Sequence, residues 1–252
     1  IDGQVAPWFI DDTPKRFEAY GWNVIDMVDG HDVDDVDGAI ARAKMSKDKP
    51  TLIVCKTSIG KGSPNRANTA KAHGEPLGGD EIKLTREAIG WTHDAFVIPQ
   101  EVYADWDAKA EGELLVADWN QRFAKFEAAH PEKAAEFTRR MAGDLPADWE
   151  THVAAVLEKL NDKAETIATR KASQNSIEAF APKLPELLGG SADLTGSNLT
   201  NWSGSKAVTR EGRGNYIHYG VREFGMAAIV NGLTLHGGFI PYGGTFLMFS
   251  EY

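Results

Sequence analysis

The run from Trp22 to Thr57 constrains the fold more than any other part of the chain. "WNVIDMV" (22–28) alternates and is rich in β-branched residues, "DVDDVDGAIARAKMS" (32–46) repeats its apolar residues at a helical period, and "KPTLIVCKT" (49–57) is a short apolar run between breakers. Strand, helix and strand at that spacing make a crossover, and a crossover of this length joins parallel strands. Parallel sheets are covered by helices, so the expected class is α/β. The second run holds Cys55, the single cysteine, expected to be a buried strand residue. No internal disulfide can form, which suits a reducing, cytoplasmic setting.

The chain has 252 residues, room for one large or two modest domains. A second α/β pattern starts near residue 144, and "ETIATRKASQNSIEAFAPKLPELLGGSADLTGSN" continues it as helix, apolar run, Gly-Gly and polar loop. Before it, "EIKLTREAIG" reads as a helix, and segments 100–111, 113–130 and 131–142 read as polar helices, with Pro131 suited to a first turn. Asp and Glu outnumber Lys and Arg by 37 to 27, a net charge of -10, which is the wrong field for a nucleic-acid partner. No apolar run approaches the roughly 18 residues that cross a bilayer, so no membrane partner is expected. Both ends read as cut: "IDGQV" opens without methionine, signal or transit pattern, and "FLMFSEY" reads as an interrupted buried strand.

Candidate site residues gather in loops. "NYIHYGVREFGM" (215–226) places Glu223 just before the apolar, helix-like "AAIVNGLTLHGG". A carboxylate is costly to remove from water, so Glu223 is either a surface residue or a working one. Residues 59–81 lose periodicity and form a long loop, which calls for a function or disorder. Its "SIGKGS" lacks the spacing of a phosphate loop and reads as a glycine turn, and its His73 taken alone reads as a solvated loop histidine. "GGSADLTGSN" puts Ser191, Asp193, Thr195, Ser197 and Asn198 after an apolar run, where open α/β sheets bind ligands. Arg170, on the preceding helix, reads alone as an exposed helical arginine. Phe246, Phe249 and Tyr252 recur every three residues, a pattern that more often marks core.

In chain order, "KTSIGKGSPN", "AHGEPLG", "TRKASQN", "LGGSADLTGSNLTNW", "NYIHYGVREFGM" and "GGFIPYGGTFLMFSEY" resemble the central part of the transketolases, which are thiamine diphosphate enzymes. The resemblance covers essentially the whole chain. It implies two three-layer α/β/α thiamine diphosphate-binding-type domains with mostly parallel sheets, both incomplete here. Residues 1–134 would be the C-terminal part of the diphosphate-binding domain plus connector helices, and residues 135–252 the N-terminal part of the pyrimidine-binding domain. The implied activity is reversible transfer of a two-carbon ketol group from a ketose phosphate to an aldose phosphate, as in the pentose phosphate pathway and the Calvin cycle. The implied cofactors are thiamine diphosphate and Mg2+ or Ca2+, with the metal ligands outside this chain.

The resemblance also implies roles. Glu223 would donate a proton to the pyrimidine ring nitrogen, so that the cofactor's own amino group can activate the thiazolium; an apolar neighbourhood favours the protonated carboxyl this requires. Phe246, Phe249 and Tyr252 would form the aromatic pocket around the aminopyrimidine, and Asp193 would approach the cofactor ring. His73 would contact cofactor and substrate and move hydroxyl protons. Arg170 and Ser197 would hold the substrate phosphate. The family builds its site between two subunits, implying a homodimer in which His73 serves one site and Arg170, Ser197 and Glu223 the other. The chain by itself is expected to be inactive. The alternatives are a non-catalytic homologous fragment or dimerisation module, and a related enzyme such as dihydroxyacetone synthase or 1-deoxyxylulose-5-phosphate synthase. Arg170, Ser197 and the unbroken motif order favour transketolase, and the retained Glu223 favours chemistry.

Overall fold

The structure, a computed structural model, describes residues 5, 6 and 8–251. The chain divides into two compact units between Asp107 and Ala108. The first contains α1 (Thr13–Ala19), β1 (Asn23–Asp29), α2 (Val33–Met45), β2 (Thr51–Lys56), α3 (Ala70–Gly74), α4 (Gly79–Ala88) and α5 (Gln100–Trp106). β1 and β2 pair in parallel, as the crossover pattern requires, with Asn23 opposite Thr51 and Ile25 opposite Ile53. The register slips between Ile25 and Val28, where Met27 takes φ 59 and points into solvent, a bulge that re-aims the end of the strand. Helix α2 begins where Asp32 accepts hydrogen bonds from the amides of Asp34 (2.9 Å) and Asp35 (3.1 Å). The acidic side chains of its first turn suit the positive end of the helix dipole.

Cys55 lies in β2 as expected, but it is exposed rather than buried. Among the described residues β2 has β1 as its only neighbouring strand, so little covers its C-terminal end.

The long segment after β2 is ordered by one carboxylate. Glu81, in the first turn of α4, accepts from the Ser63 hydroxyl, from the Asn65 amide (2.9 Å) and from the Asn65 carboxamide (2.9 Å). The Ser63 hydroxyl, followed by the two Asn65 donors, holds the Glu81 carboxyl below the usual carboxylate range. Both Ser63 and Glu81 are buried, and the loop between them is closed as by a clasp.

The second unit contains α6 (Lys109–Ala129), α7 (Pro131–Ala142), α8 (Trp149–Lys163), α9 (Thr169–Phe180), β3 (Leu187–Ser191), α10 (Thr195–Asn198), β4 (Tyr216–His218), α11 (Glu223–His236) and β5 (Ile240–Pro241). The expected polar helices are thus present, the first of them ending early at Trp106. α6 and α7 pack through Phe123, which stacks on Trp119 at 5.0 Å and meets Phe137 at 5.7 Å. Pro131 opens α7 and Gly143, at φ 77, closes it in the left-handed conformation.

The strands form one parallel sheet in the order β4-β3-β5. β3 is central and carries the Gly-Gly pair for a steric reason. A Cβ on Gly189 would stand 2.3 Å from the Tyr242 ring, and one on Gly190 would stand 2.3 Å from the Tyr219 ring and 2.6 Å from the Ile217 carbonyl. Beside the sheet, Ala192, Tyr219 and Met226 form a small core with Ile217 and Val230 packed against it.

At the other end of β3, Arg139 of α7 grips Glu186 through two contacts, Nη1 to Oε1 at 2.8 Å and Nη2 to Oε2 at 3.0 Å. The same guanidinium donates to Glu136 at 2.9 Å from both Nε and Nη2. The segment expected as an interrupted buried strand is instead a 3-10 turn over Leu247–Phe249, with Leu247 and Met248 exposed. Pairing with β3 continues as far as Gly244, which is bridged in parallel to Ser191, and ends before the turn.

Candidate active site

The singled-out residues divide between the two units. His73 stands exposed on α3 in the first, on a single helical turn whose Ala72 packs near Gly60 of the glycine turn. Arg170, Asp193, Ser197, Glu223, Phe246 and Phe249 all belong to the second. Tyr252 lies outside the described residues.

In the second unit the carboxyl end of β3 opens onto a cleft of about 1000 Å³. Arg170 and Ser173, one turn apart on α9, form one wall; Ser197, Asn198 and Thr200 form another; Gly243 to Leu247 close it. The structure therefore brings Arg170, Ser197 and Phe246 to a common space, although 27 residues separate the first two and 49 the last two in sequence. Arg170 is exposed, as its isolated reading suggested, and so is Ser197. That exposure leaves both side chains available to an anion entering from solvent.

Glu223 is the first residue of α11 and is 7% exposed. The Thr245 hydroxyl donates to its Oε1 at 3.4 Å, and Thr245 itself lines the cleft. Of the two readings open to Glu223, the surface one is removed by its burial. Phe246 and Phe249 stack with ring centroids 6.3 Å apart and an interplanar angle of 24°. Neither is core as three-residue spacing alone suggested: Phe249 is half-buried and Phe246 is 37% exposed on the cleft. Asp193 follows β3 at φ 62, a left-handed conformation that Asp tolerates better than most residues, and its side chain is exposed.

The turn bearing Ser197 is held by hydroxyl groups. The Tyr216 phenol meets Thr195 Oγ1 at 2.9 Å and Thr200 Oγ1 at 2.6 Å, and the Tyr242 phenol donates to the Thr200 carbonyl at 2.7 Å. Burial, and then the nearby Tyr216, push the Tyr242 phenol up to about 12, so it remains a donor at any physiological pH. The sequence reading named neither tyrosine, nor Thr245. Each sits inside a motif singled out for other residues, and the threonine spacing of "LTGSNLT" was the available signal. A separate groove of about 400 Å³ between α8 and α9, with Lys159 and Lys163, holds none of the site residues.

Residues 1–146 match the family model described as transketolase, thiamine diphosphate binding domain, and residues 165–252 match transketolase, pyrimidine binding domain. The chain belongs to the transketolase family. It is 61% identical over 253 residues to transketolase 2 of Aliivibrio fischeri and 58% identical over 252 residues to transketolase 1 of Escherichia coli. Each alignment takes in 100% of this chain and 38% of the relative, so the chain spans well under half the length of these transketolases. Among solved structures, the Pichia stipitis transketolase in complex with sedoheptulose-7-phosphate aligns with a TM-score of 0.85 at 36% identity, over 99% of this chain and 38% of that one. The Leishmania mexicana transketolase aligns with a TM-score of 0.85 at 36% identity, over 98% and 37%. The resemblance, the parallel α/β class and a thiamine diphosphate-binding domain are thereby borne out. Among the described residues no helix is long and apolar enough to cross a membrane.

Proposed function

We propose that this chain is part of a transketolase that moves a two-carbon ketol group between sugar phosphates. The observation that carries the reading is the single cleft that joins Arg170, Ser197 and Phe246 and reaches the buried Glu223 through Thr245. The residues present fit the pyrimidine end of the cofactor: a buried carboxyl beside a hydroxyl, with an exposed phenylalanine face nearby. Thiamine diphosphate, when bound, supplies the thiazolium that serves as electron sink. The Mg2+ or Ca2+ of this reading would be held by ligands outside this chain.

The chain's own side chains would then act as follows. The Glu223 carboxyl holds a proton toward the pyrimidine ring nitrogen, and Thr245 orients that carboxyl. Phe246 and Phe249, with Tyr252, cover the ring and exclude water; offset stacking adds about 0.5–1.5 kcal/mol beyond burial. Asp193 approaches the ring from the end of β3. The Arg170 guanidinium and Ser197 hydroxyl donate to the substrate phosphate and set how deep the sugar reaches. His73 moves protons at the sugar hydroxyls, in the site of the other subunit of a homodimer. The same proposal assigns residues 1–134 to a diphosphate-binding domain with connector helices, residues 135–252 to a pyrimidine-binding domain, and the protein to the cytoplasm.

Calorimetric titration of the full-length protein with thiamine diphosphate and magnesium tests the reading. Saturable binding that weakens in Glu223→Gln is expected, and no binding by the unaltered protein would remove the enzyme hypothesis.

A further inference from the structure

The geometry points to Tyr216 as a positioning residue for the phosphate end of the cleft, acting through the turn that carries Ser197. This inference rests on the proposed role of Ser197. α10 is a single helical turn, too short to hold itself in water. It runs from Thr195 to Asn198 and is capped by Leu199, which takes φ 57 and so turns the chain back on itself. The hydroxyls of the two threonines that bracket the turn both lie within hydrogen-bond reach of one phenol oxygen, that of Tyr216, at 2.9 and 2.6 Å. One hydroxyl thus ties the entry of the turn to its exit, with Ser197 between them.

The anchor is itself fixed. Tyr216 is 2% exposed and lies in β4 opposite Gly189 of the central strand. Its amide donates to the Lys206 carbonyl at 3.0 Å and its carbonyl accepts from the Val208 amide at 2.8 Å, so both of its backbone polar groups are held by the 206–208 segment. Thr200 passes the restraint on, donating to Asn198 Oδ1 at 3.3 Å, and Asn198 lines the cleft beside Ser197. Tyr216 itself does not line the cleft, so its effect on a ligand there must pass through the turn. The consequence is specific: loosening the tie should cost the contact to the substrate phosphate and leave chemistry at the other end of the cleft intact.

The test is steady-state kinetics of the full-length enzyme with a phosphorylated and an unphosphorylated ketose donor. It compares Tyr216→Phe, Thr195→Val, Ser197→Ala and the Ser197→Ala/Tyr216→Phe pair. Tyr216→Phe keeps the ring and removes only the shared oxygen; Thr195→Val breaks the same tie from the other side if the first variant folds poorly. Tyr216→Phe and Thr195→Val are each expected to raise KM for the phosphorylated donor about 3- to 10-fold, the worth of about one hydrogen bond, with kcat and the unphosphorylated KM within about twofold. Adding Tyr216→Phe to Ser197→Ala should change KM by less than about twofold, because the tie acts through the serine. Equal losses for both donors in the tyrosine and threonine variants, or full additivity with Ser197→Ala, would overturn the positioning role while leaving the phosphate site standing. If Ser197→Ala itself does not separate the two donors, the phosphate reading of Ser197 fails and the inference falls with it.

Discussion

Replacing Arg139 by methionine should destabilise the second unit by about 3 kcal/mol, because it strands a buried carboxylate. Glu186 is 4% exposed and its carboxylate receives two parallel contacts from the Arg139 guanidinium, at 2.8 and 3.0 Å. Removing one partner of such a pair costs about 3–5 kcal/mol, and the 17% exposure of the arginine side chain admits enough water to favour the lower end. The paired variant Arg139→Met/Glu186→Met removes both charges, so it should recover about 1–2 kcal/mol of that loss. Glu136 adds a pH signature. Arg139 first, and then Arg140, hold its carboxyl down to about 2, below the ordinary 4.5. A carboxyl depressed in the folded state contributes stability that is present above about pH 4.5 and is lost as the pH falls toward 2. Its side chain is 37% exposed, so the contribution is discounted to about 1 kcal/mol. Equilibrium urea unfolding of the full chain between pH 7 and pH 3 reads all three quantities. A single variant costing less than about 1 kcal/mol, or a double variant no more stable than the single, would refute the stranded-charge argument.

Three further outcomes are expected. Glu223→Gln or Ala in the full-length enzyme should abolish nearly all turnover with an unchanged circular dichroism spectrum, and near-normal turnover would show that the carboxyl has no part in catalysis. Arg170→Ala should raise KM far more for phosphorylated than for unphosphorylated donors, since a charge-assisted contact is worth roughly 1.5–3 kcal/mol; equal losses would make Arg170 structural. Gly232 lies on the exposed face of α11 beside Ala228, and a Cβ added there meets nothing within 4 Å, so Gly232→Leu tests whether a second subunit packs on that face. Sedimentation should show a weakened dimer and titration a weakened grip on thiamine diphosphate, and an intact dimer would remove the small-residue face from the interface.

The backbone pattern was legible wherever period and breakers agreed. The crossover from β1 through α2 to β2 needed only alternation, a helical period and flanking breakers, and α7 was marked by Pro131. Two local readings failed for a shared reason. Cys55 and the stretch after Gly244 were assigned by their own apolarity, whereas burial depends on which elements arrive to cover them. The site was legible at its ends and opaque between. Glu223 announced itself because a carboxylate beside an apolar helix demands an account, but Thr245 and Tyr216 act through hydroxyls shared across 22 and 16 to 21 residues, a relation that no local period encodes. The sequence separation of 18 between Ser63 and Glu81 hid their clasp in the same way.

The missing side chains of Gly189 and Gly190 carry a consequence for how this sequence can drift. The space a methyl group would need on each is already filled by an aromatic ring, Tyr242 at one and Tyr219 at the other. Neither glycine is therefore free to change first. An alanine at 189 needs a smaller residue at 242, yet the Tyr242 hydroxyl also secures the Thr200 carbonyl, so the exchange that accommodates the alanine also releases one end of the turn bearing Ser197. The central strand and the cleft are thus inherited together, and a selection that randomises 189, 190, 219 and 242 at once should return Gly189 and Tyr242 as a linked pair, whereas glycine should return at 190 whatever stands at 219, because the Ile217 carbonyl also fills that space.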